Sequence, residues 1–260
     1  MNALILDCDG VIAETERDLH LPAFNQAFAD FDLSIHWSEG DYKDCLRVAG
    51  GRERIAASLP TGSGDGRAGS YGQAGSDLAA QIHARKLEIF DDLLQRASLE
   101  ARPGIKRLVS AAQAAGWRTA VASSSAEASV RKVVARVLGD GLAAKTVIFA
   151  GDAVSLKKPD PSIYLLALRE LEVERSHTIV VEDAANGLRA ALDAGLVCIV
   201  TPSNYTQHEN FQDAAVVVSS LGEPGAPMTV FSNRTRARLL TCITLDDLTR
   251  ILASEHGNLA

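Results

Sequence analysis

Two carboxylates two residues apart, Asp7 and Asp9, close a short apolar run and are followed at once by Gly10. A second acidic pair, Glu182-Asp183, closes another apolar run and leads into Ala184-Ala185-Asn186-Gly187. Between the pairs lie Ser123-Ser124-Ser125, again just after an apolar run, and Lys157-Lys158-Pro159. Carboxylates gathered in one place repel unless a cation or a proton shares the site, so these groups call for a divalent ion or for one raised pKa. Mg²⁺ prefers an octahedral oxygen shell, to which Asp7, the Asp9 backbone carbonyl and Asp183 would contribute, with Glu182 beside them. A serine hydroxyl with backbone N–H groups near a helix start holds phosphate oxygens. A lysine ammonium neutralises both a carboxylate nucleophile and a group in transfer. Each piece alone occurs in unrelated proteins; their order along the chain points to phosphoryl transfer.

Such residues must be delivered together by the elements before them. Apolar runs at residues 3–7, 119–123, 146–150, 178–182, 196–200 and 215–218 are rich in Val, Ile and Leu, as strands covered on both faces are. Amphipathic stretches at 103–115, 126–138, 161–171 and 184–194 predict helices between them. The alternation predicts an α/β fold: a Rossmann-like parallel sheet with helices on both faces, whose ligands sit at the carboxyl ends of the strands. About 110 residues separate the first strand from the second, far more than one crossover needs. Helical spacing at 15–30 and 77–97, and two shorter helices broken at Gly50-Gly51 within 42–59, predict an inserted all-helical cap domain over 14–99, leaving 1–13 and 100–260 as the core. Within it, 61–76 carries six glycines among Ser and Asp and reads as a flexible loop; it lacks the spacing of a phosphate-cradling loop, and no strand precedes it.

Composition narrows the partners. With 26 basic and 33 acidic residues the chain carries a net charge of −7, which opposes nucleic acid and anionic membrane surfaces, so an anionic substrate must be drawn in by local cations. No stretch approaches the roughly 20 apolar residues of a membrane span, and residues 1–8 do not resemble a signal peptide. A cytoplasmic monomer is expected. Cys8, Cys45, Cys198 and Cys242 are far apart and are expected to be buried apolar residues, not zinc ligands or disulfides.

DxDG after the first strand, Ser after the second, Lys-Pro downstream and Glu-Asp after a later strand together resemble the haloacid dehalogenase superfamily of phosphohydrolases. The resemblance spans nearly the whole chain and implies Asp7 as nucleophile, Asp9 as acid and base, Ser123 as phosphate ligand with Ser124 and Ser125 nearby, Lys158 as orienting cation, and Asp183 with Glu182 at Mg²⁺. Glu14-Thr15-Glu16, His20, Ala23-Phe24-Asn25, the run from Gly50 to Ile55, His83 with Lys86, Lys157 to Pro161, and Tyr205-Thr206 before His208 look like the CbbY-type phosphatases. That likeness implies hydrolysis of xylulose-1,5-bisphosphate, a Rubisco inhibitor, with Glu16, His20, Tyr42, Arg52 and Lys86 as substrate contacts. Between Glu14 and His20 the chain carries one residue more than that family's usual spacing, and its glycine-rich segment and the stretch after Gly222 are unlike it. A β-phosphoglucomutase, a broader phosphatase acting on phosphoglycolate or several sugar phosphates, and a catalytically silent regulatory protein are the alternatives.

Overall fold

In a computed structural model of the chain the described residues are 1–59 and 73–256. The strands are β1 (Ala3–Leu6), β2 (Arg118–Ala122), β3 (Thr146–Phe149), β4 (Thr178–Glu182), β5 (Val197–Val200), β6 (Val216–Val218) and β7 (Val230–Asn233). They form one sheet in the order β3-β2-β1-β4-β5-β6-β7. Every pairing is parallel except that of β7, which runs antiparallel to β6 at the edge. β1 is buried at every residue because it lies in the middle, paired to β2 from Ala3↔Arg118 to Leu6↔Val121 and to β4 from Ala3↔Thr178 to Leu6↔Val181. Its apolar run without alternation has this cause: both faces are covered.

Contacts divide the chain into two compact units, Met1–Glu14 with Leu99–Ala260, and Thr15–Ser98. The second unit starts with a π-helical turn, Glu16–His20, that runs into α1 (Leu21–Asp30). Here the Thr15 carbonyl accepts from both Leu19 N–H at 3.1 Å and His20 N–H at 3.0 Å. A five-residue hydrogen-bond step of this kind is how a helix takes in one extra residue without losing register downstream. α2 (Glu39–Cys45), opened by a reciprocal Ser38–Asp41 cap, α3 (Gly51–Ser58) and α4 (Gln73–Arg96) complete the unit. Its core is aromatic: Trp37 lies 4.8 Å edge-on from Phe28 and 5.0 Å from Phe24 between ring centroids. Most of the glycine-rich segment expected as a loop lies outside the described residues, but 73–76 correct that expectation by forming the first turn of α4. One interior glycine costs a helix about 1 kcal/mol, which the packed turns downstream outweigh.

The other unit covers its sheet with α5 (Ile105–Ala114), α6 (Glu127–Leu138), the short α7 (Asp140–Ala143), α8 (Ser162–Leu171), α9 (Ala185–Asp193) and α10 (Leu245–His256). One face of the strands, through Ile5, Ala120, Ala122, Val180, Cys198 and Val200, packs on Ile163, Tyr164 and Ala167 of α8 and Leu188 and Ala191 of α9. The alternate strand residues point the other way, where α5 meets β2 and α10 meets β4. β7 and α10 fall in the stretch after Gly222 for which spacing predicts no element. α10 is opened by Thr244, whose hydroxyl donates to Asp247 at 2.6 Å while Asp247 N–H returns a bond at 3.2 Å, and it buries Leu248, Ile251 and Leu252. Of the cysteines, Cys8 and Cys198 are buried as expected; Cys45, at the last position of α2, and Cys242, in the stretch before α10, are only partly so.

Candidate active site

The ladders of the parallel sheet extend past the strands and place the reactive segments side by side. Asp7 follows β1 and its N–H still donates to Val181 at 2.9 Å, beside the end of β4 that carries Glu182 and Asp183. Ser123 follows β2 and donates to Phe149 at 3.0 Å, and Thr201 after β5 donates to Glu182 at 2.7 Å. The site therefore lies at the carboxyl edge of the sheet, where parallel architecture puts ligands.

Lys158 is the central cation. Its Nζ donates to Asp7 Oδ1 at 2.6 Å, to Glu182 Oε1 at 2.6 Å and to the Ala122 carbonyl at 2.7 Å, using all three of its protons. Tyr164 also donates its hydroxyl to Glu182 Oε1. Gly187 leaves room for that carboxylate, since a Cβ there would collide with it. Burial opposes the charge on Lys158, but Asp7 and Glu182 outweigh it and hold the ammonium above its ordinary range. Burial pushes the Asp7 carboxyl up to about 8, against the pull of Lys158 and helped by repulsion from Glu182 and Asp9. The Asp183 carboxyl rises too, through burial first and then through Asp7 and Glu182.

When all three are ionised, these carboxyls carry two more negative charges than Lys158 balances. Asp7, Glu182 and Asp183 bring ligand oxygens within 4.8 Å of one another, all buried, a hard oxygen set that fits a cation such as Mg²⁺. The Asp9 carboxylate is not in that group; it accepts from the Ser125 hydroxyl at 2.6 Å. Asp183 is steadied by the Thr206 hydroxyl at 3.4 Å, and Gly10, at φ +78°, has no space for a Cβ because Asp183 lies against it.

A stability profile follows from the Asp7 shift. An unfolded Asp titrates near 3.9, so between about pH 4 and pH 8 the folded protein binds the Asp7 proton more readily, and this contribution to stability is lost as pH rises through about 8. In chelator the melting temperature is expected to decline from about pH 5 to about pH 8.5, and Mg²⁺ is expected to flatten or reverse the decline, because a cation favours the ionised form. Thermal denaturation across that range with and without Mg²⁺ checks it; identical profiles would rule out a shared cation at these carboxyls.

Ser123 is buried and its Oγ accepts from Ser125 N–H at 3.1 Å, making a compact turn beside Asp9. Ser124 is half-buried, and its carbonyl lies against Gly151, another position where a Cβ would collide. In the helical unit, His20 and Lys86 are both buried and meet at 2.7 Å, with the ammonium 4.8 Å and 4.7 Å from the Phe24 and Phe90 ring centroids. Tyr42 is buried and donates to Glu16. Arg52 is exposed and donates to the Ser76 hydroxyl at 2.8 Å. Arg54 instead reaches the Tyr42 hydroxyl at 3.2 Å and so joins the Glu16–Tyr42 pair. Two residues apart on α3, the arginines point about 200° away from each other around the axis, and nothing in their spacing shows which one faces Tyr42. Tyr164 likewise carries no motif, and only the fold brings it to Glu182; Thr206, part of the Tyr205-Thr206 pair in the family likeness, is brought to Asp183.

The family model of haloacid dehalogenase-like hydrolases matches residues 1–195. The chain is 41% identical over 223 residues to a CBBY-like protein of Arabidopsis thaliana, across 86% of this chain and 70% of that one. It is 40% identical over 226 residues to protein CbbY of Cereibacter sphaeroides, across 86% and 94%. Among solved structures it is similar to a variant of CbbY from Rhodobacter sphaeroides in complex with xylulose-(1,5)bisphosphate, with a TM-score of 0.75 and 38% identity over 86% of this chain and 98% of that one.

Proposed function

Because the chain belongs to the haloacid dehalogenase-like hydrolases and is a phosphatase among them, we propose that it hydrolyses xylulose-1,5-bisphosphate to xylulose-5-phosphate and phosphate through an aspartyl-phosphate on Asp7. The observation that carries the chemistry is the buried Lys158 held between Asp7 and Glu182 at 2.6 Å each, with Asp183 alongside. The substrate assignment draws on the bisphosphate bound in the similar Rhodobacter structure.

In this reading an Asp7 oxygen attacks phosphorus and the ester P–O bond breaks, while Asp9 gives its proton to the departing sugar oxygen. Water then attacks the phosphoryl group on Asp7, Asp9 takes the water's proton, and the Asp7–phosphorus bond breaks to release phosphate. The Ser125 hydroxyl, 2.6 Å from Asp9 Oδ2, fixes the orientation of that carboxyl through both steps. Lys158 keeps Asp7 aimed, and Ser123 with the backbone of its turn receives phosphate oxygens. Asp7, the Asp9 carbonyl and Asp183, with Glu182 directly or through water, would hold Mg²⁺, which supplies positive charge to carboxylates and phosphate together. His20, Lys86, Glu16, Tyr42 and Arg52 are the candidate substrate contacts, and Arg54, beside Tyr42, joins them.

A phosphate-release screen over sugar mono- and bisphosphates in Mg²⁺, run beside an assay for interconversion of glucose phosphates, tests this function. Release from xylulose-1,5-bisphosphate is expected to exceed release from common monophosphates by orders of magnitude in kcat/KM. Equal rates across the panel would leave a broader phosphatase, and glucose-phosphate interconversion would leave a mutase.

A further inference from the structure

Arg102 lies where the chain enters α5, and its side chain is 10% exposed. The guanidinium donates to four backbone carbonyls: Gly10, Thr201 at 2.7 Å, Pro202 at 2.9 Å and Ser219 at 3.1 Å. Its Nε meets Glu14 at 3.3 Å, and its own backbone N–H donates to Ile12 at 2.9 Å. Three of these partners, Gly10, Ile12 and Glu14, belong to the turn that carries Asp9. Two others, Thr201 and Pro202, follow β5 directly beside the acidic pair, where Thr201 N–H holds the Glu182 carbonyl and where Ser203 and Thr206 support Asp183.

The Asp9 turn closes on itself through a bridge between Asp9 and Ala13. Gly10 N–H reaches Ala13 at 2.9 Å and Ile12 N–H reaches Cys8 at 2.9 Å, around a glycine at positive φ. A planar fork of five donors can hold several carbonyls in one plane at once, which the single ammonium of a lysine does not. We infer that Arg102 is a positioning residue: it ties the turn carrying Asp9 to the Thr201-Pro202 segment, and thereby sets where the Asp9 carboxyl meets the leaving oxygen relative to Asp7 and Asp183. It acts through Asp9, so the inference rests on the acid and base role given to Asp9 above.

The test compares the full-length wild type with Arg102→Lys and Asp9→Asn on two esters. A sugar phosphate has an alcohol leaving group that needs a proton; p-nitrophenyl phosphate has one that does not. Arg102→Lys is expected to lower kcat for the sugar phosphate about a hundredfold, the scale of loss for a misplacement of about 1 Å, with KM little changed. The first-turnover burst of p-nitrophenolate is expected to fall far less, and rates are normalised to the folded fraction from melting curves. Arg102→Ala with millimolar guanidinium, expected to regain part of the sugar-phosphate rate, covers the case in which the lysine variant folds poorly. Wild-type kcat in Arg102→Lys, equal losses on both esters, or no rescue of folded Arg102→Ala would overturn the inference. If Asp9→Asn turns over the sugar phosphate normally, the role of Asp9 itself is wrong; if that variant is inactive while Arg102→Lys loses both rates equally, only the role of Arg102 falls.

Discussion

Replacing Asp7 by Asn is expected to lower phosphate release by about 10⁴-fold or more, the scale seen when a nucleophile is removed from a site whose other groups remain. The substitution barely changes volume. Lys158 keeps its bonds to Glu182 at 2.6 Å and to the Ala122 carbonyl at 2.7 Å, so the fold has no reason to give way. Burial and two neighbouring carboxylates already disfavour charge on Asp7, and the neutral amide removes that cost. Melting temperature is therefore expected to hold, and calorimetry should still detect substrate binding. Turnover near the wild-type rate, in protein verified free of deamidation back to Asp, would remove Asp7 from the role of nucleophile.

Replacing Lys158 by Met should have the largest effect on stability. The thioether keeps the length of the stem but leaves Asp7 and Glu182, both almost fully buried, facing each other without their shared cation. Breaking one partner out of a buried charge pair costs about 3–5 kcal/mol. Because Lys158 pulls the Asp7 carboxyl down, its loss raises that carboxyl further, so in chelator the cost is expected to grow as pH rises above about 8, where wild-type Asp7 ionises and the variant's does not. Mg²⁺ should recover part of the stability but not the activity, since the ammonium also aims Asp7. Urea denaturation at about pH 9.5 and about pH 6 measures both parts; equal losses at the two values would mean that packing, not charge, is what Lys158 contributes.

Strands of the sheet were legible because a parallel strand buried on both faces must be a continuous apolar run, and the runs at 3–7 and 178–182 can be little else. The insert was legible for an equally simple reason, a gap too long for one crossover. α10 had a signal that spacing alone does not weigh: Thr244 and Asp247 stand at cap positions, followed by Leu248, Ile251 and Leu252 at helical intervals. β7 had none. Its four residues are mostly exposed, and it is a strand only because β6 offers an unpaired edge. The π turn at Glu16–His20 carries no pattern of its own in the sequence, because it is defined by which carbonyl each N–H chooses.

What the sequence determined by itself is the identity and order of the reactive groups: Asp7, Asp9, Ser123, Lys158, Glu182 and Asp183 each follow a recognisable local pattern. Local pattern suffices there because each group is set by the strand or turn immediately before it. Tertiary structure alone decided which groups touch. Lys158 stands 151 positions from Asp7 and 24 from Glu182, yet it bonds to both at 2.6 Å. Arg102 gathers carbonyls 92 to 117 positions away. Arg54, not Arg52, meets Tyr42. A pairing across such separations is settled by sheet order and helix phase together, quantities that belong to the packed chain and that no short stretch of sequence contains.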